Sequence, residues 1–200
     1  PSDIRTPTFH HVHISYASVL AWAAHKKDSI SVLDWGGALG HYYLVGKAVL
    51  PDVDIDFHVK EVPLMAKAGE QLNPEVHWYD DETCLEREYD LVMMTGSIPY
   101  MEDWADVLHR ITPAIKKYLY IARLPVVENS PSFVATQRLY NSQMLHQLIN
   151  QTEFLETIKN TGLSLVREFV VGDRPYIKGA PEQSEVRGWL FKKEAKPGSR

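Results

Sequence analysis

The chain has 200 residues, 44% of them hydrophobic and 24% charged, with a formal net charge of −5 at pH 7; that is enough for one domain with a substantial core. No Lys/Arg block stands out, which argues against a nucleic-acid surface, no apolar run reaches the length of a membrane span, and no secretory signal is expected. The single cysteine, Cys84, cannot form an internal disulfide and fits a reducing compartment such as the cytoplasm.

Residues 1–13 hold two prolines and the histidines His10, His11 and His13 with little periodicity, and an irregular arm is expected there. No cysteine or acid cluster joins these histidines, so a surface or substrate-facing arm is favoured over a metal site. The chain starts at Pro1, which leaves room for a longer polypeptide. Residues 15–27 are Ala- and Leu-rich and predict a helix, with Ser15 as its N-cap and lysines near its end.

The stretch 31–40, SVLDWGGALG, organises the rest. β-Branched and apolar residues lead into Asp34, three glycines (Gly36, Gly37, Gly40) follow within five positions, and a helix over 41–50 comes next, closed by Pro51. This reads as buried strand, tight turn and helix start, with helix-start amides facing whatever occupies the turn. A dinucleotide turn requires G-x-G-x-x-G, but Trp35 stands where the first glycine belongs. Asp34 would also set a carboxylate beside two phosphates, which is unfavourable. S-adenosylmethionine (SAM) has no phosphate and carries an ammonium and a sulfonium, so an acid at the strand end suits it. A glycine-rich turn with no cofactor is the competing reading.

Residues 54–59 alternate as a second strand that runs on into Lys60 and Glu61. Pro63 then opens a helix. Glu61 stands where a carboxylate can accept both hydroxyls of a ribose, or where the helix dipole merely favours an acid. Residues 76–79 form a short third strand before Asp80, Asp81 and Glu82, and 89–95 a fourth, whose apolar run marks it as central. Thr95, Gly96 and Ser97 lead on through a helix over 101–111 to a fifth strand at 118–123, ending at Arg123. Residues 131–162 are expected to be mostly helix, with Gln137, Arg138, Tyr140, Asn141 and His146 in the first half, a restart at Thr152 and a C-cap at Gly162. Two last strands are expected at 163–171 and 186–193. The fourteen residues between them are a candidate recognition loop. The expected organisation is an arm and covering helix (1–29), a main domain (30–193) and a disordered tail (194–200).

The spacing D-x-G-G-x-x-G at Asp34–Gly40 and the alternation of elements resemble class I SAM-dependent methyltransferases. The segments VLDWGGALGHYY, HVKEVPLMAKAGEQL, YDLVMMTGSIPYMEDW and YIARLPVV resemble more narrowly a bacterial methyltransferase family associated with surface-polysaccharide biosynthesis. The likeness runs from about Ile30 to Lys193; Lys60 departs from it, where an apolar residue is expected. It implies a Rossmann-like α/β fold, a seven-stranded, mostly parallel sheet with an antiparallel last strand and helices on both faces. It also implies SAM as cofactor and S-adenosylhomocysteine as product.

Under this resemblance Asp34, Gly36, Gly37 and Gly40 form the cofactor turn and Glu61 takes the ribose. Asp80 or Asp81 meets the adenine amino group, and Thr95, Gly96 and Ser97 line the methionine end. The helix before the first strand covers the pocket, where Tyr16 and Trp22 could serve, although core packing suits them as well. Methyl transfer needs alignment, and an alcohol acceptor also needs a base. Candidates for the base are His10, His11, His13, His41, Asp103, Glu128 and His146, with His41 and His146 carried forward as catalytic. Tyr16, Tyr42, Arg123 and Tyr140 are the candidate acceptor contacts; Arg123 could instead pair with Asp103 or Glu128. No Asp/Asn set for Mg²⁺ and no N-P-P-Y or D-P-P-Y motif is found, so no metal is expected and methylation of oxygen, on a small-molecule or saccharide hydroxyl, is favoured over amino-methylation. A non-catalytic SAM-fold domain of a larger protein is the alternative.

Overall fold

The structure is a computed structural model and describes residues 11–139, 142–171 and 176–194. Helix α1 (His11–Ala23) precedes β1 (Ser29–Trp35), α2 (His41–Val49), β2 (Asp54–Lys60), α3 (Pro63–Leu72) and β3 (His77–Tyr79). A 3-10 turn (Thr83–Glu86) leads to β4 (Tyr89–Thr95), and a second (Ile98–Tyr100) to α4 (Trp104–Ile111) and the long β5 (Ile115–Val127). A hairpin, β6 (Phe133–Leu139) and β7 (Ser142–Asn150), then α5 (Gln151–Asn160), β8 (Leu163–Val170) and β9 (Glu185–Lys193) complete it.

The strands β3-β2-β1-β4-β5 pair in parallel, β9 joins β5 antiparallel, and β8 closes the edge against β9. The seven strands expected from the sequence are thus present in one mostly parallel sheet, with the last strand in sequence antiparallel. Every residue of β4 is buried, as its apolar run requires of a central strand covered on both faces. Tyr16, Val19 and Leu20 of α1 and Tyr42 and Tyr43 of α2 pack on Ile30, Val32, Phe57 and Val59 on one face. Trp104, Leu108 and Ile111 of α4 and Phe154 and Ile158 of α5 pack on Leu33, Val92, Leu119 and Trp189 on the other. Full burial of Phe154 alone contributes roughly 2–3 kcal/mol.

Three expectations need correction. Residues 133–150 are not helical: they form the β6–β7 hairpin, with Phe133 opposite Leu148 and Ala135 opposite His146. The period-2 character of FVATQRL is weak, because only one end of the hairpin is buried, but β-branched and aromatic residues there favour the extended chain. The hairpin is held because β5 outruns β4: the pairing of the two ends at Thr95 with Ala122, and β7 takes the freed side at Val126 and Val127. Helix α5 begins with Asn150 as its cap, accepting from the amides of Thr152 at 3.0 Å and Glu153 at 3.1 Å.

The second correction is in α1. It starts by His11, so His11 and His13 stand on a helix and not in an irregular arm, and Ser15 is no N-cap. The Ser15 hydroxyl is buried and bonds the Val12 carbonyl and, at 2.7 Å, the Tyr120 hydroxyl. The third is in β5, which does not end at Arg123. The strand passes through a bulge between Ile121 and Leu124, with Arg123 at φ 56°, and continues to Val127. Pro125 is tolerated beside this bulge.

Candidate functional site at the carboxyl ends of the central strands

The site is built where β1, β2, β4 and β5 deliver their carboxyl ends. After Trp35 the chain turns through Gly36 at φ 78°, and a β-carbon added there would lie 2.5 Å from Ser97 Cβ. Only glycine admits both the positive φ and that approach. At Gly37 an added β-carbon would fall 2.6 Å from Asp34 Oδ2, so the turn lies directly over this carboxylate. Three contacts fix the turn to its neighbours. Gly36 N donates to the Lys60 carbonyl at 2.8 Å, Ser97 Oγ donates to the Trp35 carbonyl at 2.8 Å, and Asn73 Nδ2 donates to the Leu39 carbonyl at 2.8 Å. Gly40, also at positive φ, leads into α2.

Asp34 is fully buried, and neither of its oxygens has a hydrogen-bond partner among the described residues. Burial, with Glu61 adding repulsion, pushes its carboxyl up to about 8. A buried acid without a partner costs free energy unless something supplies a donor or a positive charge. Glu61 lies across the turn and accepts from Ala38 N at 2.9 Å and Val62 N at 2.8 Å, so the end of β2 grips the turn through one side chain. Thr95 is buried, Gly96 N donates to the Ala122 carbonyl at 2.9 Å, and Ser97 closes on β1. The structure therefore brings Asp34, Gly36, Gly37, Gly40, Glu61, Thr95, Gly96 and Ser97 together around the turn at the carboxyl ends of β1, β2 and β4.

Asp80 and Asp81 follow β3 and are exposed. Asp81 is already engaged: it accepts from Thr83 Oγ1 at 2.5 Å and Thr83 N at 3.0 Å, which pulls its carboxyl below the usual range. Asp80 keeps its side chain for another use.

Beside the turn, α1 and α2 bring together a second group. His41, the first residue of α2, has its ring 4.0 Å from that of Tyr42 and 5.9 Å from that of His13. Desolvation lowers the His41 pKa, and the neighbouring His13 and Arg123 lower it further, so the site favours the neutral imidazole. Arg123 is exposed, and the Gly96 β-position lies 3.6 Å from its Cβ, so the bulge in β5 aims it over the β4 loop toward His41. It forms no ion pair with Asp103 or Glu128 among the described residues. Both of those acids are exposed.

Tyr16 and Tyr42 are buried, with ring centroids 4.8 Å apart, and the Tyr42 hydroxyl bonds the Thr95 side chain. They form the floor of the site, and Tyr16 is closed to a bound molecule. Trp22 is half exposed on α1. His11 is exposed, and His10 and Tyr140 lie outside the described residues.

His146 stands on β7 and not on a helix. It meets Tyr100 edge-on at 5.2 Å, and the Tyr100 hydroxyl donates to Gln137 Oε1 at 2.7 Å. His146, Gln137, Arg138, Tyr176 and Lys178 line a cleft of about 670 Å³ between the hairpin and the β8–β9 connection. That cleft went unread in the sequence because it exists only when 133–150 is a hairpin. Glu182 secures its far wall, accepting from the amides of Glu128 at 3.0 Å, Asn129 at 2.8 Å and Ser130 at 2.7 Å. Nothing in the sequence around Glu182 marks that role.

No protein-family model and no curated protein sequence matches the chain. Solved structures do. A SAM-dependent methyltransferase of Clostridium acetobutylicum superposes with a TM-score of 0.61 at 10% identity, over 96% of this chain and 95% of that one. A sugar N-methyltransferase of a Streptoalloteichus species gives 0.63 at 13% identity, over 98% of both chains. Magnesium protoporphyrin IX methyltransferase of Synechocystis, solved with S-adenosylhomocysteine bound, gives 0.62 at 12% identity, over 92% of this chain and 84% of that one. At such identities the likeness establishes the fold: the chain has the Rossmann-like arrangement of class I methyltransferases.

Proposed function

We propose that this chain is a SAM-dependent methyltransferase that methylates a hydroxyl oxygen of a small molecule or saccharide. One observation carries the reading. Asp34 is a fully buried carboxyl group without a hydrogen-bond partner among the described residues, roofed by the glycine turn at the end of the first strand of this fold. A cationic amine or sulfonium is the complement such a site lacks, whereas a diphosphate there would raise its cost. The solved neighbours include SAM-dependent enzymes and one holding S-adenosylhomocysteine, which agrees with that chemistry.

In this assignment Asp34 holds the methionine end, and Thr95, Gly96 and Ser97 line it. Glu61, whose two oxygens already accept backbone amides at the turn, takes the ribose hydroxyls in a bidentate manner. Asp80 serves the adenine amino group; Asp81 is committed to Thr83. Gly36, Gly37 and Gly40 keep the backbone free of β-carbons so that a ligand can lie against it. When bound, the cofactor supplies an electrophilic methyl group. His41, whose pKa burial lowers, accepts the acceptor's hydroxyl proton at a ring nitrogen, and His13 sits beside it. Arg123 orients the acceptor and stabilises negative charge on its oxygen. The 670 Å³ cleft, joined to the β4 loop through Tyr100, receives the rest of the acceptor, and its Arg138 and Lys178 suit an acidic or hydroxyl-rich one. The single buried Cys84, its thiol pushed up to about 11, is consistent with a cytoplasmic setting.

The test is transfer of labelled methyl from SAM to a panel of hydroxylated acceptors, sugars included. Label on oxygen, lost in His41→Ala with S-adenosylhomocysteine affinity retained, is the expected result. Label on nitrogen would overturn the oxygen assignment. Turnover unaffected by His41→Ala would overturn the base.

A further inference from the structure

A second polar cluster lies outside the site described above, on the β2–β3 edge. Asp54, Asp56, His58 and Lys60 alternate with Ile55, Phe57 and Val59 along β2, so one face of the strand is apolar and covered while the other is polar. His77 of β3 is the direct register partner of His58, and their rings stack at 4.5 Å. Asp56 Oδ1 lies 2.8 Å from His58 Nε2 and 3.4 Å from His77 Nε2, and one ligand atom from each of the three residues falls within 4.8 Å of the others. Ligands around a tetrahedral zinc-class ion with bonds of about 2.0–2.1 Å stand roughly 3.3 Å apart. The two distances from Asp56 Oδ1 bracket that value.

His58 is almost fully buried and its Nδ1 lies 3.0 Å from the Tyr79 hydroxyl, a partner that fixes the ring with Nε2 toward the cluster. There the ring meets opposing demands. Arg87 Nη1, 3.2 Å away, can only donate and calls for a bare Nε2, while Asp56 Oδ1 at 2.8 Å can only accept and calls for a protonated one. With Asp56 ionised, neither protonation state of Nε2 satisfies both. A cation between Nε2 and Oδ1 does, because both atoms then present lone pairs to it. Arg87, half exposed, paired to Asp56 Oδ2 at 2.8 Å and lying over the Tyr89 ring at 5.2 Å, stands at the mouth on the segment after a 3-10 turn, where an entering ion would displace its guanidinium toward solvent. Asp56, His77 and Arg87 also border a polar groove of about 730 Å³ at the amino ends of the strands, which gives an ion a way in.

We propose that Asp56, His58 and His77 form a divalent transition-metal site of the zinc class, closed by Arg87 when no ion is bound. Two nitrogens and one oxygen suit Zn²⁺, Co²⁺ or Ni²⁺ in preference to Mg²⁺ or Ca²⁺. A metal there clips β3 to β2 beneath Glu61, whose amide bonds the Tyr79 carbonyl at 2.9 Å, so its role is to stiffen that edge. The proposal is independent of the methyltransferase reading.

The experiment is titration of the full chain with Zn²⁺ by calorimetry and with Co²⁺ by visible absorption, alongside His77→Ala, Arg87→Gln and Mg²⁺ as control. One equivalent binding at micromolar Kd, a tetrahedral Co²⁺ spectrum and a metal-dependent rise in melting temperature are expected. His77→Ala, an exposed change that leaves the fold intact, should weaken binding by about tenfold or more, and Arg87→Gln should tighten it. Absence of saturable binding to the wild type overturns the site. So does unchanged affinity in His77→Ala, which would assign the ion to histidines elsewhere, such as those of α1.

Discussion

Replacing Asp34 with Asn tests the strained centre of the account. The carboxyl is held at about 8 against an ordinary value of 3.8, a gap of roughly four units, and each unit corresponds to about 1.4 kcal/mol. The ideal sum, roughly 6 kcal/mol, is an upper bound, since relaxation and water entry in real interiors bring it to about 2–3 kcal/mol. The sign follows from proton linkage. The folded pKa is raised, so the native state holds a proton that the unfolded chain has released, and stability is full below pH 4 and lost as pH rises through 8. Asn keeps the shape of the side chain and carries no proton to lose. Urea unfolding of both proteins across pH 5 to 9 should therefore show Asp34→Asn gaining on the wild type steadily, by about 2–3 kcal/mol at the alkaline end. A stability difference constant across that range would refute the claim that Asp34 is a buried, unpaired acid. The same variant should bind S-adenosylhomocysteine at least about tenfold more weakly, near 1.4 kcal/mol, because the carboxylate that meets the ligand's charge is gone.

Other consequences follow from particular contacts. Gly37→Ala sets a β-carbon against Asp34 Oδ2 and should cost about 1–3 kcal/mol in chemical unfolding together with most of the ligand affinity. Phe154→Ala, at a side chain packed on Trp104, Trp189 and Phe191, should cost about 3–5 kcal/mol by the same measurement. Glu182 is held at about 2 by the amides it accepts; its contribution is complete above the ordinary 4.5 and is lost as pH falls through 2, so amide exchange at 128–130 should accelerate over that acid range, and Glu182→Gln should show less of that pH dependence. His41→Ala should lower kcat by about 100-fold while S-adenosylhomocysteine affinity changes little, as measured by initial rates and calorimetry.

The parallel core was legible because its signals are local. Asp34 to Gly40, the Pro63 helix start and the apolar run of β4 each carry a strand, turn or cap signature within a few residues, and the strand order follows from the resemblance they support. The β6–β7 hairpin was not legible, because its alternation is blurred by one exposed end and its place depends on β5 extending past β4. Arg123 was found at the right strand but for a different reason: its side chain reaches the site through a bulge, which register alone reveals. The Asp56–His58–His77 cluster needs β2 and β3 side by side; along the chain His58 and His77 are nineteen positions apart and fit no metal spacing. Asp34 shows the opposite case, where the residue was evident and its lack of a partner was not.

Calorimetric titration of the purified chain with S-adenosylhomocysteine, run in parallel on Asp34→Ala and Glu61→Ala, bears most directly on whether this site holds S-adenosylmethionine and its product. Micromolar binding at one site per chain, weakened about tenfold or more in each variant, is the predicted result. Heat-silent titrations supported by an unshifted melting temperature, or an affinity indifferent to both substitutions, would contradict it.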